Sequence, residues 1–134
     1  MKAFGTKICS FMMMFMLLGL IVCSPFSAAY ARRADEEFDS AYISLKSTKH
    51  AIYDCFTYET KRTISVTSCW LEKKSGSNWS RICSLEAPSS KSNAFSYTRE
   101  MDYSDKIGTG TYRIGATFDA DGHSITRYSN SRTF

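Results

Sequence analysis

Apolar side chains along much of this chain recur at every second position rather than every third or fourth. That period restricts the chain to extended strands with one buried face. Thr111-Tyr112-Arg113-Ile114-Gly115-Ala116-Thr117-Phe118 is the clearest case, with Tyr112, Ile114, Ala116 and Phe118 on one side. Residues 52–59 set Ile52, Asp54, Phe56 and Tyr58 against Tyr53, Cys55 and Thr57 in the same way. Further runs begin at Tyr42, Ile64, Ala94 and His123. Aromatic and β-branched residues are plentiful in them, as strands favour.

The turn signals agree. Ser75-Gly76-Ser77-Asn78 separates two alternating segments, and Ala120-Asp121-Gly122-His123 supplies the Asp-Gly pair that a tight hairpin wants. About seven short strands with a turn every ten or so residues predict an all-β fold, a single antiparallel β-sandwich of immunoglobulin or fibronectin-III-like type. Tyr112 then sits where such sandwiches carry a corner tyrosine.

The N-terminus reads as an export signal. Lys2 and Lys7 form a positive start, residues 8–23 are almost wholly apolar, Pro25 breaks the run, and Ala29-Tyr30-Ala31 offers a small-x-small cleavage site. The expected division is a signal peptide over 1–31, a flexible charged leader over 32–38 and a β-sandwich domain over 39–134. Two other readings compete. An uncleaved anchor would be short against the roughly 20 apolar residues a membrane span needs. Lipidation at Cys23 would place Val22 where a small residue is wanted. Cleavage implies a secreted, extracellular protein with no stable membrane insertion afterwards.

Charge and cysteine usage narrow the function. The 134-residue chain has a formal net charge of +4, but both leader lysines leave with the signal and lower it to +2. The remaining charges are interspersed and do not form the clustered basic face of a nucleic-acid binder, so no nucleic-acid partner is expected. Of five cysteines, Cys55, Cys69 and Cys83 follow the signal. An odd number leaves open one disulfide with a free thiol or no disulfide at all. Their spacing matches no zinc motif.

The residues from Cys69 to Cys83 form a predicted hairpin centred on Gly76-Ser77. In that register Glu72 faces Arg81, Leu71 faces Ile82 as an apolar core pair, and Cys69 and Cys83 fall on opposite faces. Trp70 and Trp79 then share the polar face with Glu72, Arg81 and Lys74. Trp70, Glu72, Trp79 and Arg81 are the candidate binding face, because aromatic rings stack on sugars and anchor protein contacts. Tryptophan also favours strands simply as a packing residue.

Taken in order, the Ala-x-Ala signal end, the acidic Ala34-Asp35-Glu36-Glu37, the segment Leu71-Glu72-Lys73-Lys74-Ser75-Gly76-Ser77-Asn78-Trp79 and the segment from Gly110 to Phe118 form a recognisable series. In it the chain resembles a family of small, uncharacterised secreted all-β proteins of clostridia-like Gram-positive bacteria. The resemblance implies an exported all-β domain and brings no catalytic residue or ligand.

Other chemistry finds little footing. His50 and His123 are the only histidines, and neither lies in a nucleophile-elbow or protease signature. Asp119-Ala120-Asp121-Gly122 lacks the further oxygen ligands and closing Glu of a calcium loop. Gly108-Thr109-Gly110 precedes a strand, not the helix N-terminus that cradles phosphate. The expectation is a secreted non-enzymatic binding module, with no cofactor and no metal, for a glycan or protein ligand. A small secreted antagonist, bacteriocin-like or host-directed, is the alternative. Protein recovered from culture supernatant should begin at Arg32, which N-terminal sequencing or intact mass checks; recovery only from membranes with residues 1–31 attached contradicts export.

Overall fold

The computed structural model describes residues 36–134. The expected signal peptide and the Ala31–Arg32 cleavage site lie outside the described residues. Seven strands follow one another: β1 (Phe38–Leu45), β2 (His50–Ser75), β3 (Asn78–Leu85), β4 (Lys91–Asp102), β5 (Thr111–Ala120), β6 (His123–Tyr128) and β7 (Arg132–Thr133). All pairings are antiparallel. The all-β expectation holds.

The two-sheet arrangement expected of a sandwich is replaced by one seven-stranded sheet curled into a half-barrel. The cause is β2, a strand of 26 residues. Sequence reading divides it into runs at 52–59, 64–73 and the first arm of the hairpin; the polar residues between Glu59 and Thr63 look like a loop but remain extended. Tyr53 pairs with Ile43 of β1 on one edge and Arg99 of β4 on the other. Ile64 pairs with Lys91 of β4 and Ala120 of β5. Further on, Leu71 lies between Ile114 of β5 and Cys83 of β3. β1 and β5 thus occupy one edge of β2 in succession, while β4 and β3 occupy the other.

Bulges let so long a strand wrap a core. Register shifts occur between Phe56 and Lys61 against β4, between Val66 and Ser68 against β5, and between Leu71 and Glu72 against β3. The buried positions record the resets: Ala51, Tyr53, Cys55 and Thr57, then Ile64 and Val66, then Cys69 and Leu71. The shifts against β5 and β3 each add one residue on one strand, and the shift against β4 adds three on β2; such irregularities increase the local bend. Tyr53 from the first half of β2 consequently meets Phe118 of β5 edge-on, with ring centroids 6.3 Å apart.

β5 supplies the centre of the core. Tyr112, Ile114, Ala116 and Phe118 are all buried, as their alternation predicts. The Tyr112 hydroxyl donates to the Thr109 carbonyl at 3.2 Å. The turns also follow the sequence. Ser75 pairs with Asn78 across Gly76-Ser77, and Ala120 pairs with His123 across Asp121-Gly122. Asp121 and Gly122 have φ of 51° and 90°, the left-handed pair that an Asp-Gly hairpin accommodates.

The C-terminal segment closes the curl onto β1. Asn130 accepts from the Leu45 amide at 2.9 Å and donates to the Leu45 carbonyl at 3.1 Å. Arg132 Nε donates to the same carbonyl at 2.7 Å. Phe134 and Gly110 exchange two backbone hydrogen bonds, each 2.9 Å. At the other end of β1, Glu37 and Phe38 are buried, and Lys61 Nζ donates to the Glu37 carboxylate within the protein. The last two residues assigned to a flexible leader are therefore part of the fold, because a buried cation at Lys61 demands a buried partner.

Among the described residues, every buried side-chain nitrogen and oxygen has a hydrogen-bond partner. Tyr103 OH donates to the Glu86 carbonyl at 2.8 Å, so its contact with Tyr53 OH, 2.9 Å away, has Tyr53 as donor. The Cys69 thiol reaches the carbonyls of Leu85 and Glu86 at 3.5 and 3.4 Å. Burial pushes the Cys55 thiol up to about 12 and raises the Cys69 thiol and the Tyr53 and Tyr103 hydroxyls. Replacing Ile114 with Ala should cost about 2–5 kcal/mol in a urea melt, as a fully buried aliphatic residue does. A cost below about half a kcal/mol, typical of a surface site, would contradict this core.

Candidate functional site

The hairpin between β2 and β3 builds the outer face that the sequence singles out, with one change of register. Glu72 pairs with Arg81 as expected, but Leu71 pairs with Cys83 rather than Ile82. The bulge leaves Ile82 without an opposite residue, and its side chain is 50% exposed, not in the core. The same shift brings Cys83 onto the inner face with Leu71 and Cys69, so the two cysteines share a face instead of opposing one another. Cys69 pairs with Leu85, one diagonal step from Cys83. All three described cysteines are free thiols.

Four strands contribute to the outer face. Trp70 pairs with Ser84 of β3 and Gly115 of β5, and Gly115 pairs with Tyr128 of β6. In the next row Glu72 lies between Arg81 and Arg113. Lys74 then pairs with Trp79. The structure thus brings together Trp70, Glu72, Trp79 and Arg81 and adds Arg113, Gly115 and Tyr128.

Glu72 is the junction of this face. Its Oε1 accepts from Trp70 Nε1 at 3.1 Å and its Oε2 from Arg113 Nε at 2.6 Å. Its side chain is only 12% exposed, against 26% for Arg113. The Arg113 guanidinium lies 4.4 Å from the ring centroids of both Trp79 and Tyr128. Arg81 lies 4.9 Å over Trp70, and Lys74 6.0 Å over Trp79. Tyr128 meets Trp70 edge-on at 6.0 Å. Cation–aromatic contacts of this kind contribute from about 0.5–1 kcal/mol when exposed to about 2 when dry, so they hold the long side chains in place.

Gly115 gives the Trp70 ring its seat. A Cβ at position 115 would come within 2.4 Å of Trp70 Cε2. The glycine therefore answers to packing, as its left-out side chain lets the indole lie against the β5 backbone. Both tryptophans are half-buried, which places them between a core residue and an open platform.

The remaining candidates are engaged in structure. His50 Nδ1 lies 3.0 Å from Glu100 and Nε2 3.7 Å from Asp102. His123 sits beside Ala120, which pairs with Ile64, far along β2 from His50. Asp121 accepts from the Arg62 and Thr63 amides at 3.0 and 2.9 Å, and these bonds hold its carboxyl below the usual carboxylate range. Asp119 accepts from the Gly122 amide and the Ser124 hydroxyl. Together with Arg62 and Thr63 they border an open hollow of about 430 Å³. Among the described residues no group of three or more His, Cys, Asp or Glu is placed to hold a metal ion. In Gly108-Thr109-Gly110, the Gly110 amide donates to the Phe134 carbonyl.

The chain matches no protein-family model, no curated protein and no solved structure.

Arg113, Gly115 and Tyr128 escape the sequence reading because nothing local says that β5 and β6 lie beside the hairpin. A signal for the first two was present: both alternate with the buried Tyr112, Ile114 and Ala116 and so must face outward. Gly115→Ala should destabilise the protein by about 1–3 kcal/mol through overpacking. In a Trp70→Ala background the same change should cost much less. Thermal or urea melts of the four proteins of this double-mutant cycle check the contact, and equal costs in both backgrounds would contradict it.

Proposed function

We propose that this protein is an exported, non-enzymatic binding module that holds its ligand on the outer face formed by β2, β3, β5 and β6. Kinship with small secreted all-β proteins of clostridia-like Gram-positive bacteria belongs to the same proposal. The observation that carries it is the convergence of Trp70, Trp79 and Tyr128 with Lys74, Arg81 and Arg113 on one sheet face. Aromatic residues and arginine are the side chains most enriched at the energetic centres of interfaces. Their fixed geometry favours binding, since groups already ordered by Glu72 and Gly115 lose little further entropy when a ligand docks.

The two tryptophans separate stability from binding. Trp70 covers Gly115 and donates to Glu72, so Trp70→Ala should lower the melting temperature. Trp79 lies near the hairpin turn against Arg113 and Lys74, so Trp79→Ala should leave the fold largely intact and weaken binding. Purified protein and both variants, screened on a glycan array and followed by thermal melts, check this. A ligand bound equally well by wild type and Trp79→Ala would move the binding site off this face.

A further inference from the structure

We propose that the ligand of this face is an acidic polysaccharide, a linear chain bearing about one carboxylate or sulfate per disaccharide. This rests on the binding reading above and names the chemistry that the face selects.

The argument begins with what covers the rings. A neutral sugar stacks on a bare aromatic face. Here the guanidinium of Arg81 lies over Trp70, and that of Arg113 lies over both Trp79 and Tyr128. Arg81 is exposed over Trp70, and Arg113 is held between Trp79 and Tyr128, so a ligand on the platform meets cation and ring together. A guanidinium stacked on a ring still presents its N–H edge in its own plane, suited to a carboxylate or sulfate. Arg113 uses Nε for Glu72 and Arg81 uses one Nη for Ser84. Among the described residues their other N–H groups, and the Lys74 ammonium, have no acceptor.

The charges are unbalanced on this face. Lys74, Arg81 and Arg113 face one carboxylate, Glu72, whose two oxygens are already engaged. The outer face of the other half of β2 has the opposite character. There Asp54 accepts from Thr98, and Glu100 and Asp102 flank His50. A chain of modest net charge thus segregates its charge along one strand. Low net charge in the sequence conceals a positive aromatic face and a negative one.

Spacing favours a polysaccharide over a nucleic acid. Arg81 and Arg113 stand on strands either side of Glu72, so their backbones are roughly 10 Å apart at normal sheet spacing. That is of the order of a disaccharide repeat in an extended glycan. Lys74 lies one pleat repeat further along β2. Nucleic-acid backbones present charge more densely, about one per 3.4 Å of each strand in duplex DNA, and are met by larger sets of cations. Between the three cations here, the edges of Trp79 and Tyr128 can meet sugar rings.

The test measures binding of the purified protein to immobilised hyaluronan, which carries one carboxylate per disaccharide, in parallel with its carboxyl-methyl ester, neutral dextran, polyglutamate and duplex DNA. The expected result is binding to hyaluronan that falls steeply with added salt, with the ester and dextran bound far more weakly. Lys74→Gln and Arg81→Gln should each weaken it roughly tenfold, the scale of one charge-assisted hydrogen bond, with melting temperatures close to wild type. Equal binding to the ester or dextran, abolished by Trp79→Ala, overturns the acidic ligand and leaves the binding face standing. Polyglutamate or DNA bound as tightly as hyaluronan, with the same sensitivity to both Gln variants, overturns the polysaccharide. Hyaluronan binding unaffected by all three substitutions overturns both the inference and the face it rests on. No binding to any of the acidic chains also overturns the inference, and the glycan-array comparison of Trp79→Ala then judges the face separately.

Discussion

A backbone that stays hydrogen-bonded on both edges while one of its faces stays dry imposes most of this architecture. β2 meets that demand over residues 51–56, at Ile64 and over 69–73 by exchanging neighbours, β1 for β5 on one edge and β4 for β3 on the other. A flat strand of such length would carry the ends of its apolar face far apart. Bulges instead reset which residues point inward, from Cys55 and Thr57 to Ile64 and Val66 and then to Cys69 and Leu71. The bent strand can then enclose one core, in which Tyr53 touches Phe118. Closure onto β1 through Asn130 and Arg132 uses side chains to satisfy a strand end that lacks a backbone partner there.

The interior mixes aromatic bulk with a few polar atoms, and among the described residues no buried side-chain nitrogen or oxygen lacks a hydrogen-bond partner. The order Tyr53 to Tyr103 to the Glu86 carbonyl is set by proton count, since a hydroxyl has one hydrogen to donate. This chain ties the first half of β2 to the segment that follows β3. Glu37 with Lys61 makes a second buried tie at the Phe56–Lys61 register shift. Leaving either charge alone inside would be costly, and that explains why Glu37, just ahead of β1, is packed into the fold.

The outer face is organised by a different economy of contacts. Glu72 holds Trp70 and Arg113 at once, and Arg113 in turn lies against Trp79 and Tyr128. Removing the carboxylate would release residues from four strands, β2, β5 and, through Trp79 and Tyr128, β3 and β6. The platform is consequently rigid because its members constrain each other, not because they are deeply buried. Lys74 and Arg81 remain toward solvent while the single anion is covered, and the resulting polarity underlies the ligand chemistry proposed for the face.

Local chemistry determined a good part of this protein. Alternation alone placed Tyr112, Ile114, Ala116 and Phe118 on the inner face of β5, and the two hairpin turns stand where Gly76, Asp121 and Gly122 accept left-handed backbone. It also set Trp70, Glu72 and Lys74 on one face, with Arg81 opposite Glu72. Only the tertiary structure decided that 50–75 is one strand, that a single sheet replaces two, that Ile82 is expelled by a bulge, and that Arg113, Gly115 and Tyr128 complete the face. The division has a physical reason. Strand period and turn geometry are properties of neighbouring residues, whereas strand partners and bulges are settled by contacts between segments distant in sequence, which leave no mark in the composition of either segment.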